Sequence, residues 1–259
     1  MTKLEMYSTS RATDGAWSAA ADVAAIGRQL DIPYRLVGGI AVTMLVHYHG
    51  VADRVPERET ADADMGVRYE VCSDPRLLPA LLERGYQRED GSRLSRTDGD
   101  RELVIDLLTP SYTGRMQSNQ AYGQFTVDEV PGLALALAAP STDVMLAAVF
   151  SDGAHLQVPI ALPDVRAALC IKAYAYRDRI ADRDAVDIVR LLEAAVAGGH
   201  STSDWGTGGT RRDAAQILYS SFVLAGGSGA RRLGSAELAR VQALIVHLVP
   251  EPGSMESEG

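Results

Sequence analysis

The chain has 259 residues, enough for one or two domains at about 150 residues each and for a sizeable core. Hydrophobic residues make up 46% of it and charged residues 23%, a balance that excludes disordered, collagen-like and low-complexity chains. With 25 Lys and Arg against 34 Asp and Glu the formal net charge is −9, so the overall field repels polyanions and any nucleic-acid contact has to be local.

Ala19 to Leu30 carries Ala, Val, Ile and Leu at helical spacing, and Asp31-Ile32-Pro33 stops that helix because the residue before proline leaves the helical region. Tyr34 to Val37 is the strand that follows. Gly38-Gly39 turns the chain into a second apolar helix, Ile40 to His49, which Gly50 ends. Val51 to Glu59, with a proline and several charges, is an exposed loop. Thr60 to Tyr69 alternates polar and apolar residues as a strand does, and Asp74-Pro75 introduces a short helix over Leu77 to Arg84. Further strands are predicted at Arg93 to Arg96, Leu103 to Leu108 and Leu133 to Ala138, while Ser111 to Gly123 is polar and irregular. Val144 to Phe150 and His155 to Ile160 flank Ser151-Asp152-Gly153 in a hairpin.

After Pro163 the pattern turns helical, over Asp164 to Arg177, Arg183 to Ala195, Arg211 to Leu224 and Ala236 to Leu248. The expected architecture is a mixed α/β (α+β) sheet domain over 1–160, a helical domain over 161–248 and a disordered tail over 249–259. Cys72 and Cys170 have no partner at metal-ligand spacing, which argues against a disulfide framework or a zinc ribbon. The N-terminus lacks an apolar signal core, and the most hydrophobic stretch, Gly132 to Phe150, is broken by Pro140, Ser141, Thr142 and Asp143, so the protein is expected in the cytoplasm without a membrane partner.

The chemistry concentrates on three acids. Asp62 and Asp64 stand two apart on a predicted strand, so both leave one face, with Cα atoms roughly 6.7 Å apart. Two carboxylates so placed need a countercharge, and a hard divalent ion suits oxygen ligands best. Asp106 interrupts the apolar run Val104-Ile-Asp-Leu-Leu108, where an unpaired charge is costly, and makes a third candidate ligand. Gly38-Gly39 at a helix start lets backbone amides approach a phosphate.

These residues, Val37-Gly-Gly39, then Arg58-Glu-Thr-Ala-Asp-Ala-Asp64, then Asp106, resemble the polymerase-β-like nucleotidyltransferase superfamily. The Arg-x-Thr run before the acids, the helical Ile171-Lys-Ala-Tyr-Ala-Tyr-Arg177 and Arg183-Asp-Ala-Val-Asp187 look like the AbiEii-type toxin nucleotidyltransferases of toxin-antitoxin and abortive-infection systems. The chain departs from the pattern in two places: 22 residues separate Gly39 from Asp62, and Arg183-Asp184 stands where the family has Lys-Asp. The resemblance implies that Asp62, Asp64 and Asp106 hold Mg²⁺ or Mn²⁺, with Asp106 also a candidate base. It places Gly38, Gly39, Arg58, Thr60 and Lys172 on the nucleotide triphosphate, and Asp184 or Asp187 beside Lys172 as an orienting acid. The implied reaction transfers a nucleoside monophosphate from an NTP to the 3′ end of tRNA, or to a protein side chain, with a cognate antitoxin as partner. A small-molecule acceptor such as an aminoglycoside, or a silent nucleotide-binding interaction module, are the alternatives.

Other features have simpler readings. The string from Arg177 to Asp184 alternates in sign as a solvated helix surface does, and Lys172 could be a lysine snorkelling from an apolar helix, though its place in the motif order puts the phosphate role ahead. His47 and His49 fall on different helix faces, and Tyr174 and Tyr176 read as packing residues. Arg211-Arg212 and Arg231-Arg232 form the one net-positive stretch, which could hold an RNA backbone, but doubled arginines at helix starts and loop ends are common on ordinary surfaces and that reading stays ahead.

Overall fold

Secondary structure begins earlier than the apolar pattern suggests. In the computed structural model, which describes residues 1–89 and 91–256, a first strand β1 (Thr2–Tyr7) buries Leu4 and Met6. Helix α1 (Arg11–Leu30) starts eight residues before Ala19, with the Ser10 hydroxyl accepting from the Thr13 amide as its cap. Its first two turns contain Thr13, Asp14 and Gly15, which hide the helical period in the sequence. Asp14 is fully buried and accepts from the Ser151 amide at 3.0 Å and the Ser151 hydroxyl at 2.5 Å, tying α1 to a distant turn.

The chain continues through β2 (Arg35–Val37), α2 (Gly38–Tyr48), β3 (Asp62–Gly66), α3 (Tyr69–Cys72), α4 (Leu77–Glu83), β4 (Gln87–Arg88), β5 (Arg93–Asp98) and β6 (Arg101–Pro110). Next come β7 (Gln117–Tyr122), β8 (Phe125–Val130), α5 (Leu133–Ala138), β9 (Thr142–Val149) and β10 (His155–Leu162). The helical half comprises α6 (Val165–Arg179), α7 (Asp182–Ala197), α8 (Gly209–Leu218), a π turn over Tyr219–Val223, and α9 (Ser235–Leu248). A 3₁₀ turn spans Pro252–Glu256, inside the stretch expected to be a disordered tail, while residues 257–259 of that expectation lie outside the described residues.

Two expected elements differ. Leu133 to Ala138, predicted as a strand, is helix α5: Leu-Ala alternation is apolar throughout rather than amphipathic, both residues are strong helix formers, and Leu133 and Ala136 turn to one buried face. Ser111 to Gly123, predicted as irregular, contains β7, whose polar and largely exposed residues pair antiparallel with β8. A strand at a solvated edge lacks the apolar alternation by which strands are recognised.

Strands β2-β3-β6-β5-β4 form one mixed sheet, with β8 and β7 added beyond the end of β6, and β1-β9-β10 form a second. Strand β3 runs parallel to β6 and antiparallel to β2, and β5 runs antiparallel to β6. Helix α1 packs against β3, β6 and β10, so it lies between the sheets. The core is continuous from β1 and α1 through Leu36 and Met65 to Tyr176, Phe222 and Ile245 of the helical half. Both cysteines are free and buried, with thiols pushed up to about 12 by burial. Among the described residues no helix is long and apolar enough to cross a membrane.

Candidate active site

One lateral row across the large sheet builds the first wall of the site. Val37 on β2 pairs with Asp64 on β3, Asp64 with Asp106 on β6, and Asp106 with Arg93 on β5. Asp62, two residues before Asp64, stands on the same face. Gly38 follows Val37 directly and opens α2 at a φ of 72°, a conformation that favours glycine. A Cβ built there meets the Asp64 Oδ2 at 1.6 Å, so any side chain at 38 collides with the carboxylate. The sequence pairs Gly38 with Asp64 for a steric reason as well as a conformational one.

Asp64 sits half-buried at the foot of this wall. Burial, and then the neighbouring charges of Asp62 and Asp106, push its pKa up to about 7. Arg93 answers part of that charge. Its Nε and Nη2 donate to the two Asp106 oxygens at 3.2 and 3.0 Å, and Nη2 lies 3.8 Å from Asp62.

The second wall comes from α6, α7 and the loop after α2. Lys172, Asp184 and Asp187 are all buried, and the Lys172 Nζ lies 2.8 Å from Asp187 and 3.4 Å from Asp184. Arg58 reaches inward from its loop, donating to Asp187 at 3.0 Å, so it is not the solvated loop arginine that its sequence neighbourhood suggests. Arg179 pairs with Asp184 at 2.9 Å, and Arg190, 3% exposed, lies 3.6 Å from Asp187 and donates to the Thr43 hydroxyl at 3.1 Å. Burial lowers the Arg190 pKa. Four cations thus surround two anions, leaving a local excess of positive charge in an acidic protein. The link between α6 and α7 turns sharply at Ile180, whose φ of 48° is rare for a β-branched residue and marks strain held beside this network.

Gly39 joins the two walls. A Cβ there meets the Arg58 Nη1 at 2.2 Å and the Thr60 Oγ1 at 2.7 Å, so both side chains lie against the first turn of α2. That turn has no side-chain cap, and the buried Thr60 hydroxyl has no hydrogen-bond partner among the described residues. Free amides and an orphaned hydroxyl at a helix start fit an anionic oxygen ligand such as a phosphate.

Between the walls lies a cleft of about 240 Å³ lined by Gly38, Gly39, Arg58, Asp62, Asp64, Arg93, Asp106, Lys172, Arg179, Arg183 and Asp184. A larger cavity of about 470 Å³ runs along α2 past Thr43 and His47 and shares with the cleft only Arg58. It contains none of the three aspartates. As positioned, no three His, Cys, Asp or Glu side chains among the described residues converge into a metal-holding group. The donor chemistry nevertheless fits a hard divalent cation: hard oxygens, mutual repulsion, and a guanidinium already supplying countercharge.

The structure therefore gathers Gly38, Gly39, Arg58, Thr60, Asp62, Asp64, Asp106, Lys172, Asp184 and Asp187 around one cleft and its margins. Sequence reasoning missed Arg93, Arg179 and Arg190. Arg179 belongs to the alternating string; its Arg177-Asp178 pair stays at the surface as expected, but Asp184 is fully buried. Tyr174 and Tyr176 pack inside, Tyr176 at 5.1 Å between ring centres from Phe222. Of the four doubled arginines, Arg232 pairs with Asp182 on α7.

No protein-family model and no curated protein matches the chain in sequence. Among solved structures it is similar to an antigenic nucleotidyltransferase-like protein from Paracoccidioides brasiliensis, with 16% identity, a TM-score of 0.50, and coverage of 92% of this chain and 95% of that one. A weaker likeness, with a TM-score of 0.34 and 14% identity over 86% of this chain and 92% of the other, is to ANT(2″)-Ia in complex with adenylyl-2″-tobramycin. The first likeness shows the fold: a mixed α/β nucleotidyltransferase-like architecture.

Proposed function

We propose that the chain is a nucleotidyltransferase, moving a nucleoside monophosphate from an NTP to an acceptor hydroxyl. The observation that carries this reading is the cleft itself, with Asp62, Asp64 and Asp106, and Asp128 beyond them, on the sheet wall, an excess of cations on the helical wall, and an uncapped Gly38-Gly39 helix start between them. One wall suits a divalent cation and the other a polyphosphate.

When bound by Asp62, Asp64 and Asp106, Mg²⁺ or Mn²⁺ supplies countercharge to the reacting phosphate. The α2 amides, the Thr60 hydroxyl, Arg58 and Lys172 hold the triphosphate and stabilise the charge that develops on the leaving pyrophosphate. Asp184 and Asp187 hold the Lys172 ammonium in place. The acceptor oxygen bonds to the α-phosphorus as the bond to the β-phosphate oxygen breaks, and the hydroxyl proton passes to Asp106.

For the acceptor, the resemblance to the AbiEii-type toxins favours the 3′ end of tRNA, which makes the protein a growth-arresting toxin with a cognate antitoxin. The net charge of −9 favours a second reading, a cationic small molecule such as an aminoglycoside. Incubation with Mg²⁺ and each labelled NTP, separately with total RNA, total protein and aminoglycosides, tests both. Label transferred to RNA by the wild type and lost in Asp62→Ala supports the toxin reading. Transfer only to a small molecule selects the second, and transfer to no acceptor despite NTP binding contradicts both.

A further inference from the structure

Arg93 is drawn into the site by sheet register rather than by a sequence motif. It faces Asp106 directly across the β5–β6 ladder, and its guanidinium engages both Asp106 oxygens while lying 3.8 Å from Asp62. Those oxygens are the ones that would hold a divalent ion. A bidentate guanidinium–carboxylate pair is geometrically matched and charge-assisted, so it is a real competitor for them. The Arg93 side chain is also 44% exposed, which leaves it a path outward. Across the β4–β5 hairpin the Glu89 amide donates to the Arg93 carbonyl, and the Glu89 carboxylate accepts from the Ser95 hydroxyl.

We propose that Arg93 is a positioning residue that serves as the resident countercharge of the aspartate wall, competes with the divalent ion for Asp106 and Asp62, and leaves them when the site loads. This rests on the proposed metal role of the three aspartates. The metal-free site is thereby kept from facing three uncompensated carboxylates, at the expense of affinity for free cations. Loading then favours the metal–nucleotide complex, because the triphosphate brings its own contacts to the helical wall and does not depend on the aspartates alone.

Titration of the full chain with Mn²⁺, following loss of the free-ion paramagnetic resonance signal without nucleotide, tests this. The expected result is at least tenfold tighter Mn²⁺ binding in Arg93→Gln than in the wild type, with Arg93→Lys between them, and the gain abolished in Arg93→Gln/Asp106→Asn. With a non-hydrolysable NTP present the difference narrows. Mn²⁺ should also raise the melting temperature more in Arg93→Gln than in the wild type, a response that a purely structural arginine does not produce. Equal Mn²⁺ affinity in wild type and Arg93→Gln, both lost on Asp62→Asn, overturns the role of Arg93 and leaves the metal reading standing. Binding in neither protein that depends on Asp62 overturns both.

Discussion

Asp14 is fully buried and Asp64 half-buried, and the fold treats their charges in opposite ways. Asp14 lies in the joint between α1 and the β9–β10 turn, where burial works against its charge but hydrogen bonds from Ser151 prevail and hold its pKa below the ordinary carboxylate value. Asp64 lies against Gly38 and faces Asp62 and Asp106, so burial and like charge act together and raise its pKa to about 7. One carboxylate is completed by the protein. The other is left short of a positive charge, and that deficit is what a cation-binding site needs before its cation arrives.

The largest loss of activity is expected from substitutions in the sheet wall. Asp62→Ala or Asp64→Asn should lower nucleotidyl transfer by about a thousandfold or more, the several kcal/mol expected when charge stabilisation at the reacting phosphate is lost. The folded Asp14→Ala protein should keep its rate. Comparison of kcat/KM in the three variants separates the two kinds of acid.

Next in size is the buried network of the helical wall. Asp187→Ala removes the carboxylate shared by Lys172, Arg58 and Arg190 and should cost about 3–5 kcal/mol in urea unfolding, because buried cations lose their partner. If stability is retained, the network is not the structural unit its geometry indicates.

The two acids also differ in the sign of their pH dependence. Folded Asp64 keeps its proton up to about pH 7, whereas the unfolded carboxyl loses it near 3.8, so between these values the folded state binds more protons and stability falls as pH rises. Asp64→Asn should therefore stabilise the metal-free protein at pH 8 by up to about 4 kcal/mol, at about 1.36 kcal/mol per pK unit, with part of this screened by solvent. The gain should vanish near pH 4. Asp14 carries the opposite sign: its contribution is present above about pH 4 and lost on acidification. Asp14→Ala should cost about 1–3 kcal/mol at pH 7, the penalty for stripping a buried hydrogen-bond network, and less as the pH falls below 4. Melting curves of both variants at pH 4 and pH 8 read the two effects together.

Much of the sheet wall was legible in the sequence, because its signals are local. A Gly-Gly pair before an apolar helix, two acids at strand spacing and a polar intruder in an apolar strand each stand out without knowledge of the fold. Lys172, Asp184 and Asp187 entered only through family resemblance, since charges on helix surfaces look alike until packing buries them. Arg93 was hidden because its role depends on pairing register. Yet the hairpin turn at Gly99-Asp100 sets Asp98 opposite Arg101, and counting back along both strands brings Arg93 opposite Asp106. Helix α5 was misread because Leu-Ala repeats satisfy a strand period without any polar face, and β7 because its side chains are polar on both faces.

In the proposed reaction Asp62, Asp64 and Asp106 gather a divalent cation beside the Gly38-Gly39 helix start. Anomalous diffraction from crystals soaked in Mn²⁺ with a non-hydrolysable NTP tests it most directly. A strong anomalous peak is expected between these carboxylates and the nucleotide phosphates, with the triphosphate against Gly39 and Arg93 withdrawn from Asp106. A nucleotide bound with no peak at the aspartates, or a peak elsewhere with Arg93 still holding Asp106, would contradict it.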